Sequence, residues 1–211
     1  MQRATPPPMA SLRAVARRFL GSCGRSSAGA LAVAVTLLTD PTARAEDAAV
    51  PPTMQAQLLA KVAGYDRNLP ARAQGTVRVL VVVKRDDAPS ARAAAQVTAT
   101  LKELPTIAAL PHVEETLTYT SAADLAGACR NKRASIVYLT PSLAGESAAI
   151  GAALRGGDVL SFAAAAESSR SAVVGFDLVS GRPQLVVNVT QARHQNVALK
   201  PELLKLAKVI E

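Results

Sequence analysis

The sequence contains few of the residues that usually carry chemistry or stack on ligands. It has no tryptophan, three tyrosines, three phenylalanines and two histidines, His112 and His194, in 211 residues. Neither histidine has a cysteine or a second histidine at a spacing typical of metal ligands, so the sequence predicts no metal site. So few aromatic rings also provide no platform on which sugars or nucleic-acid bases stack.

Catalytic and cofactor-binding motifs are also missing. No G-x-S-x-G, Walker A or G-x-G-x-x-G pattern follows a predicted strand, and the glycines between residues 151 and 157 mark a helix end. We therefore predict that the chain is not an enzyme, has no catalytic residues and binds no cofactor.

The first 45 residues have the layout of a secretory signal peptide. They hold six arginines and one acidic residue, an apolar run over 28–38 and the small-x-small triplet at 43–45. The run has eleven residues, too few for a bilayer span, which needs about 20. We predict export to the periplasm with cleavage after Ala45; an uncleaved anchor or a wrongly assigned start codon is the alternative.

More than half of the formal charge of +8 lies in this leader. The remaining residues carry 18 basic and 15 acidic side chains, a net charge of +3, which gives no electrostatic case for binding DNA or RNA. Cleavage also removes Cys23 and leaves Cys129 alone, so an intramolecular disulfide is excluded. We predict that Cys129 is a small buried apolar residue, with an intermolecular disulfide as the alternative.

The remainder of the chain alternates between buried-strand and helix patterns. Continuous β-branched runs predict strands, and apolar residues at helical spacing between proline or glycine breaks predict helices. The predicted strands are 76–84, 112–119, 135–140 and 158–162, and the predicted helices are 53–69, 89–104, 121–132 and 141–154. This alternation indicates parallel βαβ units in one three-layer α/β domain over 53–211, preceded by a flexible lead-in at 46–52.

The C-terminal segment is typical of an antiparallel hairpin followed by a closing helix. A turn at 180–183 separates two apolar runs, because glycine tolerates positive φ and proline cannot donate to a sheet. Leu199, Leu203, Leu206 and Ile210 then recur at helical spacing. We expect this helix to dock on the mostly parallel sheet through these residues.

Polar residues follow the predicted strands at their carboxyl ends, where ligands bind in open parallel sheets. Thr140 and Ser142 stand at the end of the strand at 135–140 and at the start of the next helix. Their hydroxyls, with the free N–H groups of the helix, are suited to hold a polar or anionic ligand. The alternative, and the commoner role, is that they cap the helix.

Residues 65–68 form a second polar cluster at the end of the first predicted helix, with Tyr65, Asp66, Arg67 and Asn68. The cluster places one aromatic ring beside a carboxylate and a guanidinium. Such a cluster is suited to contact a partner protein. The structural alternative is that Asp66 and Arg67 cap and solvate the helix end.

Four segments of the chain stand in a characteristic order. They are YDRNL at 65–69, VLS at 159–161, a hairpin with GFDL at 175–178 and LVVNV at 185–189, and LLKLAKVI at 203–210. In this order they resemble the YfiR-like family of periplasmic proteins over nearly all of 54–211. The resemblance implies an exported α/β regulator, usually dimeric, that represses an inner-membrane diguanylate cyclase by binding the periplasmic part of that enzyme.

The chain departs from the family pattern in two places. It has no pair of cysteines for a structural disulfide, and residues 194–197 (HQNV) replace a small turn. The first departure bears on redox control and the second on the partner surface. We expect His194 and Asn188 to influence partner binding, although Asn188 is also placed to order the turn into the next helix.

These observations leave two hypotheses for function. The first is a non-catalytic periplasmic regulator that acts through a membrane-bound signalling partner, a diguanylate cyclase or a sensor kinase. The second is a periplasmic small-molecule binding or sensing module, similar to a lobe of a solute-binding protein, that uses the strand-end hydroxyls as polar contacts.

Overall fold

The computed structural model describes residues 49–211. The predicted signal peptide at 1–45 and its cleavage point lie outside the described residues. Of the predicted lead-in, the described part is anchored to the domain, because Val50 is buried and its carbonyl oxygen accepts a hydrogen bond from Gln55 Nε2 at 2.7 Å. No helix within 49–211 has the length and hydropathy that a membrane span requires.

In this part of the chain, seven strands form one sheet, accompanied by seven α-helices and two short 3₁₀-helices. The strands are β1 (Val77–Lys84), β2 (His112–Tyr119), β3 (Ile136–Leu139), β4 (Leu160–Ala163), β5 (Val174–Val179), β6 (Arg182–Asn188) and β7 (Lys208–Ile210). The α-helices are α1 (Pro52–Ala63), α2 (Leu69–Ala73), α3 (Ala88–Lys102), α4 (Ala122–Lys132), α5 (Ser147–Ala153), α6 (Val189–His194) and α7 (Pro201–Leu204). The 3₁₀-helices are Pro141–Glu146 and Ala166–Arg170.

The strand order across the sheet is β2-β1-β3-β4-β5-β6-β7. The first five strands run parallel to their neighbours, β5 and β6 form an antiparallel hairpin, and β7 runs parallel to β6. This confirms the predicted α/β fold with a mostly parallel sheet and an antiparallel C-terminal hairpin. The β-branched run of β1 lies between two strands, as its continuous apolar pattern predicts.

Hydrophobic cores on the two faces of the sheet produce the three layers. Successive side chains of β1 point to opposite faces, so Val79 and Val81 join one core while Leu80 and Val82 join the other. Helices α1 and α3 cover the first core, and α4 and α5 cover the second. Cys129 lies in the second core at 7% exposure, which confirms that it is a small buried residue.

Two helices differ in extent from the predictions. The helix predicted over 53–69 ends at Ala63, and Pro70 lies in the first turn of α2 instead of ending a helix. Proline is accepted there because the first turn of a helix has no intrahelical N–H bond to lose. The helix predicted over 141–154 consists of a 3₁₀ segment followed by α5.

The C-terminal helix is present but much shorter than predicted. Helix α7 has four residues, and β7 then pairs with the edge of β6. Leu203 is buried as expected, whereas Leu206 is 74% exposed and Ile210 is half-buried. The open edge of β6 presents backbone N–H and C=O groups that need partners, and pairing with β7 satisfies them where a longer helix would not.

Candidate functional site

The sheet has a topological switch point between β1 and β3. The chain leaves β1 toward β2 on one side and leaves β3 toward β4 on the other, so the following loops diverge at the carboxyl ends of these strands. In open α/β sheets such a crevice is the usual place for a ligand. Thr140 and Ser142 lie at this point, together with Ser90 and Asp87 from the start of α3.

Thr140 is enclosed at the switch point. The residue is 2% exposed, and its hydroxyl donates a hydrogen bond to the carbonyl oxygen of Val82 at 2.8 Å. Thr140 Oγ1 also lies 2.6 Å from Ser90 Oγ, and Ser90 is the donor there because the single proton of Thr140 goes to Val82. Ser90 Oγ in turn accepts from the backbone N–H of Lys84 at 2.9 Å. The hydroxyls of Thr140 and Ser90 are thus hydrogen-bonded to groups inside the protein. The Thr140 hydroxyl does not cap the following helix.

Asp87 caps α3 and binds Ser142. Its Oδ1 atom accepts hydrogen bonds from the hydroxyl of Ser142 at 2.7 Å and from the backbone N–H of Ser90 at 2.6 Å. These two bonds, the one from Ser142 having the larger effect, hold the pKa of the Asp87 carboxyl below its ordinary value of 3.8. Lys84 Nζ pairs with Glu146 Oε1 at 3.1 Å beside the cluster. Ser142 therefore links the end of β3 to the start of α3.

A second polar cluster centres on Arg72, which is not among the residues predicted from the sequence. Asp66 Oδ2 lies 2.7 Å from Arg72 Nη1, and Asp158 Oδ1 lies 2.7 Å from Arg72 Nε. Arg72 Nη2 donates to the carbonyl oxygen of Asn196 at 2.9 Å. Asp66 and Arg72 are buried, whereas Asp158 and Asn196 are exposed, so the cluster joins three separate chain segments from the interior to the surface.

Asp66 and Asn68 both belong to this cluster. Asp66 Oδ1 accepts hydrogen bonds from the backbone N–H groups of Asn68 and Ala198, each at 3.0 Å. Asn68 Nδ2 donates to the carbonyl oxygen of Asn196 at 2.9 Å. The structure thus brings together two segments that the sequence singled out separately, 65–68 and the turn at 194–197.

Three of the predicted contact residues lie at the surface near this junction. Arg67 and His194 are exposed, and Tyr65 is half-buried. The cluster lies at the amino ends of the parallel strands, because Asp158 precedes β4 in the sequence. Thr140 follows the carboxyl end of β3 and so lies at the opposite end of the sheet. Residues 65–68 and His194 therefore lie at one end of the sheet, and Thr140 and Ser142 lie at the other, so the structure keeps the two predicted clusters apart.

Asn188 has a structural role at the start of α6. It is 5% exposed, and its Oδ1 atom accepts a hydrogen bond from the backbone N–H of Gln191 at 2.8 Å. Its Nδ2 atom donates to the carbonyl oxygen of Arg170, also at 2.8 Å. The prediction that Asn188 orders the turn into the next helix is confirmed, and the residue has little surface to offer a partner.

An apolar groove lies where α1, the β5–β6 hairpin and the segment after α7 meet. Its lining includes Met54 at 40% exposure, Val179 at 47% and Leu206 at 74%, together with the half-buried Leu58 and Leu185. The groove was not predicted, because the helical spacing of the C-terminal residues places Leu206 on the buried face of a helix. The β-branched pair at 209–210, typical of a strand, was the available signal for the shorter helix.

The described residues offer few reactive groups. Burial raises the pKa of the Cys129 thiol to about 11, so the thiol is neutral near pH 7 and inert as a nucleophile. Among residues 49–211, no group of three His, Cys, Asp or Glu side chains is arranged to hold a metal ion.

Comparison with known protein families shows which family the four ordered segments belong to. The model of the family described as YfiR/HmsC-like (DUF4154) matches residues 52–208, almost the whole described domain. The chain belongs to the YfiR/HmsC-like family. Membership confirms the resemblance carried by the four ordered segments, and it supports a periplasmic regulatory role in general terms.

Solved structures align with this YfiR/HmsC-like domain at low sequence identity. An ABC domain in complex with L-Trp from Streptococcus pneumonia aligns over 76% of this chain, with 11% identity and a TM-score of 0.54. A conserved domain protein from Vibrio cholerae O1 biovar El Tor aligns over 76% with 15% identity and a TM-score of 0.49. An open, ligand-free substrate-binding protein with adhesive properties from Clostridium difficile aligns over 68% with 12% identity and a TM-score of 0.46.

The chain spans 62%, 60% and 57% of the lengths of these three proteins, respectively. At 11% identity, the likeness to the first of these structures concerns the fold alone. A search among curated proteins finds no significant match.

Proposed function

We propose that this protein is an exported, non-catalytic regulator that binds the periplasmic part of an inner-membrane signalling protein. A diguanylate cyclase is the first candidate partner and a sensor kinase the second. The observation that carries the proposal is the apolar groove of Met54, Val179 and Leu206. The family supplies the class of partner, and the groove supplies the surface on which that partner docks.

The exposed large apolar side chains of residues 49–211 are clustered. Five such side chains are exposed, and Met54, Val179 and Leu206 line the same groove. A contiguous exposed apolar patch marks an interaction surface, whereas scattered single residues do not. Arg182 at the groove edge adds a polar rim, the usual surround of a desolvated interface centre.

A defined partner tests this proposal. The purified protein is added to membranes that contain the candidate cyclase, and cyclic di-GMP formation is measured together with binding to the isolated periplasmic part. We expect the protein to lower cyclic di-GMP formation. Leu206→Glu and Val179→Glu each weaken binding at least about tenfold, because each buries a charge in the apolar interface.

Val113→Glu is the matched control, since Val113 is 50% exposed on β2 and lies outside the groove. It leaves binding unchanged. Equal binding by all three variants would remove the groove from the proposal. The family resemblance also implies a homodimer, so sedimentation velocity is run in parallel. If Leu206→Glu converts a dimer to a monomer without changing cyclase binding, the groove holds a second copy instead of the partner.

Export with cleavage after Ala45 is part of the same proposal. The leader pattern of the sequence supports it. N-terminal sequencing of protein recovered from the periplasm should begin at Glu46. Recovery only in the membrane fraction, with the leader intact, would contradict cleavage.

The alternative role, small-molecule sensing through Thr140 and Ser142, gains little support from the strand-end geometry. Both hydroxyls are bonded to Val82 and Asp87, so a ligand would have to displace good internal hydrogen bonds. A thermal-shift screen over solutes tests this role. A large stabilisation that Ser142→Ala abolishes would favour it over partner binding.

A further inference from the structure

A cavity of about 290 Å³ opens at the amino ends of β3 and β4, at the end of the sheet opposite the switch point. Its walls come from α4, from the end of α5 and from the loop before β4. The volume is near the lower limit of the roughly 300–1,000 Å³ that small-molecule sites occupy, so it suits a small ligand. The partner-binding groove shares none of its lining residues.

The floor of the cavity is apolar. Cys129, Ala134, Leu154 and Val159 line it, and all four are buried. The Cys129 thiol belongs to this floor as a neutral group, because burial raises its pKa to about 11. A floor of this kind binds the hydrocarbon part of a ligand and offers it no hydrogen bond.

The rim of the cavity carries unbalanced positive charge. Arg72 pairs with two carboxylates, those of Asp66 and Asp158, so these three side chains carry a net charge of −1. The other two arginines of the lining, Arg130 and Arg133, add two positive charges and bring the net charge to +1. Neither of these two has a carboxylate partner in the described part of the chain, and both are exposed.

Arg130 and Arg133 differ from their neighbour Lys132, which pairs with Glu115. Basic residues are favourable near the end of a helix, which explains their presence at the end of α4. It does not explain why two of them line a cavity. Arg133 Nη1 donates to Gln74 Oε1 at 3.2 Å across the rim, and its other N–H groups remain for a ligand.

We infer that this cavity binds a small organic carboxylate whose apolar body rests on the Cys129 floor and whose carboxylate pairs with Arg130 and Arg133. Guanidinium groups match the planar, two-oxygen geometry of a carboxylate and form strong charge-assisted hydrogen bonds with it. The inference is independent of the proposed partner, and it gives the regulator a site through which a metabolite of this class acts on it.

Isothermal titration calorimetry of the purified protein with benzoate tests the site, with benzamide as a neutral analogue and sulfate as an anion without an apolar body. We expect saturable binding of benzoate and much weaker binding of the other two. Arg130→Gln and Arg133→Gln should each weaken benzoate binding roughly tenfold, as loss of a charge-assisted hydrogen bond does. The control pair Arg170→Gln and Arg193→Gln removes equal charge from exposed positions outside the cavity and leaves binding unchanged.

A second variant tests the apolar floor separately from the charge. Ala153→Leu places a larger side chain in the cavity wall and keeps both arginines, so it should abolish benzoate binding. Thermal unfolding without benzoate verifies that each variant is folded. The inference fails if benzoate does not bind, if benzamide binds equally well, or if the Arg130 and Arg133 variants bind benzoate as the wild type does.

Discussion

Asp66 and Arg72 form an ion pair with 2.7 Å between Oδ2 and Nη1, and their side chains are only 0% and 3% exposed. Arg72 contacts Asp158 and the Asn196 carbonyl with its other nitrogens. The carboxylate of Asp66 also accepts the backbone N–H of Ala198. One buried guanidinium and one buried carboxylate thus fasten the start of the domain to its C-terminal part.

Removing one partner of this pair should destabilise the protein strongly. Arg72→Ala leaves the Asp66 carboxylate buried without a counter-charge, and we expect the free energy of unfolding to fall by about 3–5 kcal/mol. Urea denaturation at pH 7 measures the change. Arg67→Ala, at an exposed position five residues earlier, should change it by no more than about 0.5 kcal/mol. Similar small effects for both variants would show that the pair is not a major source of stability.

Two helical glycines should respond to alanine in opposite directions. At Gly151 in α5 an added Cβ would lie 2.4 Å from the backbone carbonyl oxygen of Ser171, so Gly151→Ala should destabilise by about 1–3 kcal/mol. At Gly127 in α4 nothing lies within 4 Å of the added atom, and Gly127→Ala should stabilise by about 0.5–1 kcal/mol. Thermal unfolding of the two variants compares them directly. The packing of α5 against Ser171 would be contradicted if Gly151→Ala also raised the melting temperature.

Asn188 should matter for stability and not for partner binding. Asn188→Ala removes the cap of α6 and the bond to the Arg170 carbonyl, and we expect a loss of about 1–2 kcal/mol. At a temperature where the variant is still folded, its affinity for the partner should equal that of the wild type. A selective loss of affinity without a loss of stability would instead support the contact role expected from the sequence.

The contribution of Asp87 to stability should depend on pH. The hydrogen bonds from Ser142 and Ser90 hold the pKa of Asp87 below 3.8 in the folded state, so the folded state favours the ionised form. This stabilisation is fully present above the unfolded-state pKa and is lost as the pH falls through the folded-state pKa. Asp87→Asn should therefore be less stable than the wild type at pH 7, and the difference should narrow below pH of about 3.8. A difference in unfolding free energy between wild type and Asp87→Asn that stays constant from pH 7 to pH 2.5 would contradict a cap that depends on the ionised carboxylate. Ser142→Ala removes one of the two hydrogen bonds to Asp87, so in that background Asp87→Asn should change the unfolding free energy by less.

Local sequence patterns correctly predicted the strands and helices that depend mainly on one local feature, either a continuous apolar run or a capping residue. The continuous apolar runs of β1 and β3 are buried on both faces, and α4 begins beside Ser121, whose side chain accepts from Asp124 N–H as a capping residue should. The prediction of one long helix over 199–210 was wrong, because the same apolar spacing also fits a short helix followed by an edge strand. Only the open edge of β6 decided between the two.

The candidate sites were predictable to a smaller degree. The sequence singled out Asp66 and Asn68, but Arg72 and Asp158, which are 86 residues apart, gave no sign that they would form a pair. The groove at Leu206 and the cavity beside Cys129 are built from segments that meet only after folding. The periodicity of one segment does not show which of its side chains the other segments leave exposed.

By itself, the sequence determined the α/β class, the family and most of the strands, because burial and capping act on residues close together along the chain. Only the tertiary structure decided which polar groups bond internally and which apolar side chains stay exposed. The reason is physical: a hydrogen bond such as that from Asn68 to the Asn196 carbonyl joins residues 128 positions apart. Its formation, and the burial of Asp66 beside it, depend on the whole sheet being assembled.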